Sequence, residues 1–315
     1  MNLKDIKTFE QLKLAKHNFQ HQNSELKELK VVLKSAAQDQ KAAIGKKIKH
    51  ILEKGEALFA QKMQELKDEE INQKIANQWV DVNEPVYSYS SFHPLTIIGN
   101  RFRAWLMQNG YYEISGSDIE DDKYNFEILN MPKNHPARAM QASLYINQKR
   151  LLRTHNTGYS ARELEKNFNQ SFSQFSIGKV YRNDEDDATH SHQFMQIDLV
   201  SVGNVSISNL IWTIKSLLSF VFEKEVKIRL RPSYFPFTEP SIEVDIWHNN
   251  QWIEVLGAGM LNDKVLKTAN YTNTMRGFAA GIGIDRITMI KYGLDDIRQL
   301  YKNDQRLLRQ FQGVK

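Results

Sequence analysis

No proline occurs before Pro85; the other six are Pro94, Pro132, Pro136, Pro232, Pro236 and Pro240. Proline in a helix interior costs ~3 kcal/mol. A proline-free lead of this length, rich in Lys, Glu, Gln, Leu and Ala, is therefore committed to long helices. Leu26, Leu29 and Leu33 recur at helical spacing, as do Ile44, Ile48, Ile51 and Leu52. Leu58, Met63, Leu66 and Ile71 continue the stripe. The 35–45 region, with Asp39 and two alanine pairs, is the expected turn. The pattern predicts two helices, over about 7–35 and 40–78, folded as an antiparallel hairpin. Through residue 85 this arm carries 15 lysines, no arginine and 13 acidic residues, a net of +2. Charges of both signs intersperse, which suits a solvated coiled-coil face and an arm reaching for a nucleic-acid backbone equally. A helical hairpin alone has little core and must lean on something or act as a lever.

Beyond residue 85 the chain changes character, and the expected domains are 1–85 and 86–315. The 93–109 segment opens on Pro94 at a first helical turn and stops at Gly110, with Leu95, Ile98, Phe102, Trp105 and Leu106 at helical spacing. Val226, Ile228 and Leu230 alternate with Lys227, Arg229 and Arg231, and Ile242, Val244 and Ile246 with Glu243, Asp245 and Trp247. Such strands have one wet and one buried face, the mark of an antiparallel sheet. Amphipathic helices are expected over about 206–225 and 284–292. The fold class is α+β: a central antiparallel sheet flanked by helices, preceded by the helical arm.

Composition removes several classes of function. There is no cysteine, hence no disulfide framework, thiolate metal site or cysteine nucleophile. No run approaches the ~18–20 apolar residues of a membrane helix; the longest, over 210–222, contains Lys215. The first ten residues alternate charged and apolar character, so no secretory leader is expected and a cytoplasmic location is. A net charge of +5 permits a nucleic-acid or nucleotide partner and serves solubility equally well.

Three segments carry chemistry. In 178–198 two strands flank an acidic loop. Val180, Arg182 and Asp184 share one side of the first strand, and Phe194, Gln196 and Asp198 one side of the second. That face is a floor for a flat, charged ligand, Arg182 clamping phosphate and Phe194 stacking on a base, or a face turned to solvent. In 276–286, Gly281 and Gly283 do not form a dinucleotide loop, because position 286 is Arg and no βαβ unit follows. Either a strand passes close beneath a ligand there, with Arg286 in the first turn of the next helix, or the glycines mark a bulge beside a surface arginine. In 234–240, Phe235 and Phe237 flank a proline in an extended segment. They form an edge-to-face pocket or core packing, and Glu239 beside them is a hard-cation donor.

Taken in order, these segments resemble the signature motifs of class II aminoacyl-tRNA synthetases, and within them the alpha subunits of bacterial phenylalanine–tRNA ligases. The matching phrases include Phe92-His93-Pro94-Leu95, Asn134-His135-Pro136-Ala137-Arg138, Leu152-Arg153-Thr154-His155 and Asp187-Ala188-Thr189-His190. They continue with Phe235-Pro236-Phe237-Thr238-Glu239-Pro240, Gly257-Ala258-Gly259-Met260 and Gly281-Ile282-Gly283-Ile284-Asp285-Arg286. The resemblance implies ATP-dependent activation of L-phenylalanine to its adenylate and transfer to tRNA(Phe). It also implies a beta-subunit partner in a two-alpha, two-beta assembly, and an arm that touches tRNA.

By the same resemblance, Arg182 takes the α-phosphate, Arg286 the γ-phosphate region and His190 a place near the phosphates. Phe194 stacks under adenine, Asp184 faces the adenine amino group, and Glu239 binds Mg²⁺. Gln196 and Asp198 receive the substrate ammonium with His155 and Thr157. Phe235 and Phe237 flank the ring, and Ala279 and Gly281 floor the pocket. The chain departs from the family pattern at Asp184, where glutamate is usual, at 139–143, and at Leu256, where glycine is commoner. The rival expectations are a class II paralogue without aminoacylation and a coiled-coil RNA-binding protein.

Overall fold

The computed structural model describes residues 3–36, 38–77, 91–136, 138 and 143–311. The expected boundary at 85/86, the expected helix end at 78 and the departure at 139–142 lie outside them. The chain divides into two compact units, Met1–Val86 and Tyr87–Lys315.

Among the described residues the first unit holds three α-helices, not two: α1 (Phe9–Gln22), α2 (Ser24–Ser35) and α3 (Gln38–Asn77). The expected first helix is broken at Asn23. Its extended backbone and side chain cap α2, the Asn23 side-chain Oδ1 accepting from Leu26 N–H at 3.0 Å. The turn is shorter than expected, and α3 runs straight through Gly45. A small core of Leu12, Ala15, Phe59 and Leu66 joins α1 to α3, with Phe19 edge-on to Phe59 at 5.6 Å. No helix among the described residues is long and apolar enough to cross a membrane.

The second unit is built on a seven-stranded sheet in the order β1-β4-β5-β9-β8-β7-β6. Its strands are β1 (Tyr112–Ile114), β4 (Phe172–Tyr181), β5 (Gln193–Gly203), β6 (Ile228–Phe235), β7 (Thr238–His248), β8 (Gln251–Leu261) and β9 (Arg276–Gly283). All pairs are antiparallel except edge strand β1, which runs parallel to β4. A small ribbon of β2 (Ile119–Asp121) and β3 (Arg150–Leu152) stands beside it.

The period-two alternation works as expected. Ile197, Leu199, Val244, Ile246, Ala280 and Ile282 face one core. Against it pack the apolar stripes of α4 (Pro94–Gln108), α6 (Ile207–Phe222) and α8 (Ile284–Tyr292). The opposite face builds a second core from Val200, Val202 and Ala279. Over it lie Phe126, α5 (Thr157–Lys166) and α7 (Asp263–Thr268). That second face is apolar at one end of the strands and polar at the other, and the polar end is the candidate site.

Candidate active site

The floor of the site is a row of small residues. Asp198 of β5 lies opposite Gly281 of β9, which lies opposite Gly257 of β8. A Cβ at Gly257 would come within 2.8 Å of the Phe235 ring, and one at Gly281 within 3.1 Å of Gln196 Nε2. The bare backbone is what lets that ring and that amide lie flat on the sheet. One row further on, Ala279 sits between Val200 and Gly259 and is buried.

Phe235 and Phe237 lie at a hairpin turn rather than in an extended segment: Phe235 ends β6, Pro236 and Phe237 form the turn, and Thr238, which opens β7, pairs with Phe235. Folding back puts the rings parallel, 13° apart with centroids at 5.9 Å, so the pair is stacked and not edge-to-face. His155 continues the aromatic wall, 6.3 Å from Phe237 and 6.4 Å, edge-on, from Phe126. Burial first, and then the positive charge of Arg182, pull the His155 pKa down to about 3, so the ring is neutral.

Asp198 is 3% exposed. Thr157 Oγ1 donates to its Oδ2 at 2.9 Å and Ser160 Oγ to its Oδ1. Both hydroxyls come from the first turn of α5, three residues apart and so on one helix face. Burial raises the Asp198 pKa to about 6, against the pull of the two hydroxyls. Gln196, two residues earlier on the same face, is held by Asn156, whose Nδ2 donates to the Gln196 carbonyl at 2.7 Å.

Arg182 follows the end of β4. Its guanidinium lies 5.0 Å from the centroid of Phe194, whose cross-strand partner is Val180; β4 ends at Tyr181, so Arg182 and Asp184 lie beyond the strand whose alternation placed them with Val180. Nε of Arg182 is buried without a hydrogen-bond partner among the described residues. Burial lowers the Arg182 pKa, with nearby Asp184 opposing and Arg286 reinforcing the shift; the three charges are neighbours. Arg286 is exposed in the first turn of α8, and its Nη1 donates to the Glu254 carbonyl at 3.3 Å.

His190 and Glu239 stand differently. The hydrogen bonds of the His190 ring run to Asp187 and Thr189 of its own loop. Glu239 is exposed at the start of β7, with Oε2 accepting from Asn262 Nδ2 at 3.0 Å. Among the described residues no group of three or more His, Asp or Glu is arranged to hold a metal by itself. One exposed carboxylate fits a hard cation whose other ligands are phosphate oxygens and water, the usual arrangement of nucleotide-bound Mg²⁺.

A family model described as the class II core domain of tRNA synthetases (F) matches residues 79–311. The Phytoplasma australiense protein named phenylalanine–tRNA ligase alpha subunit is 43% identical over 317 aligned positions, covering 98% of this chain and 92% of that one. The chain belongs to the phenylalanine–tRNA ligase alpha subunit family. Two further relatives of that name are similar. The Staphylococcus haemolyticus protein is 43% identical over 299 positions, covering 90% of this chain and 85% of that one. The Bacillus pumilus protein is 46% identical over 270 positions, covering 80% and 78%. The pyrrolysyl-tRNA synthetase PylSc of Desulfitobacterium hafniense shares the fold at a TM-score of 0.53 and 16% identity, covering 78% of this chain and 82% of that one.

As a member of the phenylalanine–tRNA ligase alpha subunit family, the chain has a class II core. That core contains groups the sequence reading passed over. Arg153 is 3% exposed and is a strut: it donates to the Lys179 carbonyl at 2.6 Å and to Asp118 at 2.8 Å, tying the entry to α5 onto β4. Asn156, Ser160 and Gln174 were missed as well. The Thr157–Ser160 spacing was a readable signal, since two hydroxyls one helical turn apart meet the same neighbour.

Proposed function

We propose that this chain is the catalytic alpha subunit of a phenylalanine–tRNA ligase, activating L-phenylalanine with ATP and passing it to tRNA(Phe). The observation that carries the reading is the row Asp198–Gly281–Gly257. It puts a buried carboxylate and the Phe235 ring over Gly257 two strand spacings, about 10 Å, apart, with no side chain on the intervening glycine. An α-amino acid with a benzyl side chain fits that span. Its ammonium goes to Asp198 and Gln196, its ring to the stacked Phe235 and Phe237 over Ala279 and Gly281. Thr157 holds Asp198 in place, and neutral His155 lines the wall without repelling the ammonium.

Attack of the substrate carboxylate on the α-phosphate brings two anions together, so positioning and cationic stabilisation dominate. Arg182 is half-buried and one of its donors is unpaired. It engages the α-phosphate and gains strength from its low-dielectric setting. Arg286 engages the γ-phosphate region. Phe194 stacks under adenine, Asp184 faces the adenine amino group, and His190 closes the loop near the phosphates. Glu239 holds Mg²⁺, which when bound screens the polyphosphate charge. Ala279 limits ring size, and tyrosine pays in addition for an unpaired buried hydroxyl.

The chain acts with a beta subunit as two of each, in the cytoplasm, and the arm over 1–85 contacts the tRNA body. The test is phenylalanine-dependent ATP–pyrophosphate exchange, followed by tRNA charging, by the chain purified with its beta partner. Exchange that starts only on addition of phenylalanine supports the reading; exchange with another amino acid, or none, overturns it. The alpha chain alone is expected to be nearly inactive, and full charging by alpha alone would refute the need for a partner.

A further inference from the structure

Behind the Asp198 carboxylate lies a polar layer that the reaction does not account for. Gln174 and Ser176 of β4 are both fully buried, and Ser176 is the register partner of Asp198. Gln174 stands two residues earlier on the same face. Ser160 of α5, 1% exposed, is a junction: its Oγ donates to Asp198 and accepts from Gln174 Nε2 at 2.6 Å. Gln174 Oε1 and Ser176 Oγ have no hydrogen-bond partner among the described residues. Burying such groups costs free energy that an apolar layer would avoid. Their orientation is informative. A serine hydroxyl has one proton, and with a lone pair engaged by the Gln174 amide that proton is directed at Asp198.

We infer that Gln174 and Ser160 are positioning residues: Gln174 orients the Ser160 hydroxyl, and Ser160 holds the Asp198 carboxylate in the one orientation that receives the substrate ammonium. The inference rests on the proposed phenylalanine-activating site and extends it by a layer. The groups facing Asp198 are Ser176 from β4, Gly281 from β9 and Thr157 and Ser160 from α5. None is charged, and His155 just before α5 is held neutral by burial. Among the described residues Asp198 therefore has no cation to hold it in place or to keep it ionised, and the two hydroxyls perform both tasks. Of the two, only the Ser160 hydroxyl is itself hydrogen-bonded by a further buried amide.

The test is exchange kinetics of the chain with its beta partner across pH 5–8, for the parent, Ser160→Ala and Gln174→Met. Ser160→Ala is expected to raise KM for phenylalanine ~10-fold, as loss of one hydrogen bond to a charged group does, and to leave KM for ATP within about twofold. It also removes a bond that favours the ionised carboxyl, so the acid limb of kcat/KM for phenylalanine moves to higher pH. Gln174→Met leaves the hydroxyl in place but frees the lone pair that fixes its orientation, and shifts both quantities in the same direction by ~3-fold. An unchanged KM for phenylalanine, a parallel rise in KM for ATP, or an unmoved acid limb overturns the inference. If Ser160→Ala does not fold, Gln174→Met decides by the same criteria. A parent complex without phenylalanine-dependent exchange overturns the underlying function instead, which separates the two failures.

Discussion

The Arg182 guanidinium sits 5.0 Å from the centre of the Phe194 ring, so the cation proposed for phosphate and the ring proposed for the base are parts of one unit. Two substitutions separate their roles. Phe194→Ala removes the stacking surface, worth ~1–3 kcal/mol per base, and should raise KM for ATP by ~5- to 150-fold with KM for phenylalanine little changed. Arg182→Lys keeps the charge but loses the planar fork, and should lower kcat of exchange on the order of 100-fold. Pyrophosphate exchange with each substrate varied in turn checks both.

Ala279 lies between Val200 and Gly259 on the pocket side of the sheet. Ala279→Gly should admit para-chloro-phenylalanine as a substrate, at a stability cost of ~0.5–1 kcal/mol for glycine in a strand. Unchanged activation of that analogue would count against the pocket assignment.

Asp198 keeps its proton up to about pH 6 in the folded chain, against an ordinary value of 3.8. The folded state then binds more protons than the unfolded state between those pH values. The stability this group contributes is complete below about pH 4 and is lost as pH rises through about 6, on the order of 3 kcal/mol in all. Asp198→Asn should therefore melt several degrees above the parent at pH 7 and no higher near pH 4, while losing phenylalanine activation. His155 acts with the opposite sign: its lowered pKa gives stability above about 6.5 that is lost on acidification. The difference between variant and parent, rather than the parent curve alone, isolates Asp198. KM for phenylalanine should rise below about pH 6.

Much of this arrangement was legible in the sequence. Alternation in 242–246 marked a strand with one buried face, and Pro94 marked a helix start. Arg286 does fall in the first turn of α8. What escaped reading depended on contacts distant in the chain. Gln174 and Ser160 look like ordinary polar residues until β4 and α5 meet over Asp198. The stacking of Phe235 on Phe237 required knowing that Pro236 turns the chain back rather than extending it. The break at Asn23 was within reach, since asparagine before Ser24-Glu25 is a capping signal, but the continuous leucine spacing masked it.

Asp245, 1% exposed, accepts from Arg229 Nη2 at 2.6 Å and Arg231 Nε at 2.9 Å. Asp245→Ala leaves two guanidiniums crowded on one sheet face. With both about half-exposed, the expected loss is about 2 kcal/mol, or roughly 5 °C in Tm. Calorimetry at neutral pH would show it.

Removing residues 1–80 should leave phenylalanine-dependent exchange within about twofold and reduce tRNA charging ~10-fold or more. If both activities fall together, the arm serves the fold and not the nucleic acid.

Helix α5 meets the sheet through directional bonds at Thr157 and Ser160 in addition to the apolar contacts of Ala161 and Leu164, where α4, α6 and α8 meet it chiefly through apolar side chains. An apolar contact tolerates a small slide with little loss, whereas a dovetail of hydroxyls and carboxyl does not. The helix is thus keyed to a single setting. Gradual warming should leave recognition of the amino acid sharp until the whole domain gives way, instead of blurring it by degrees.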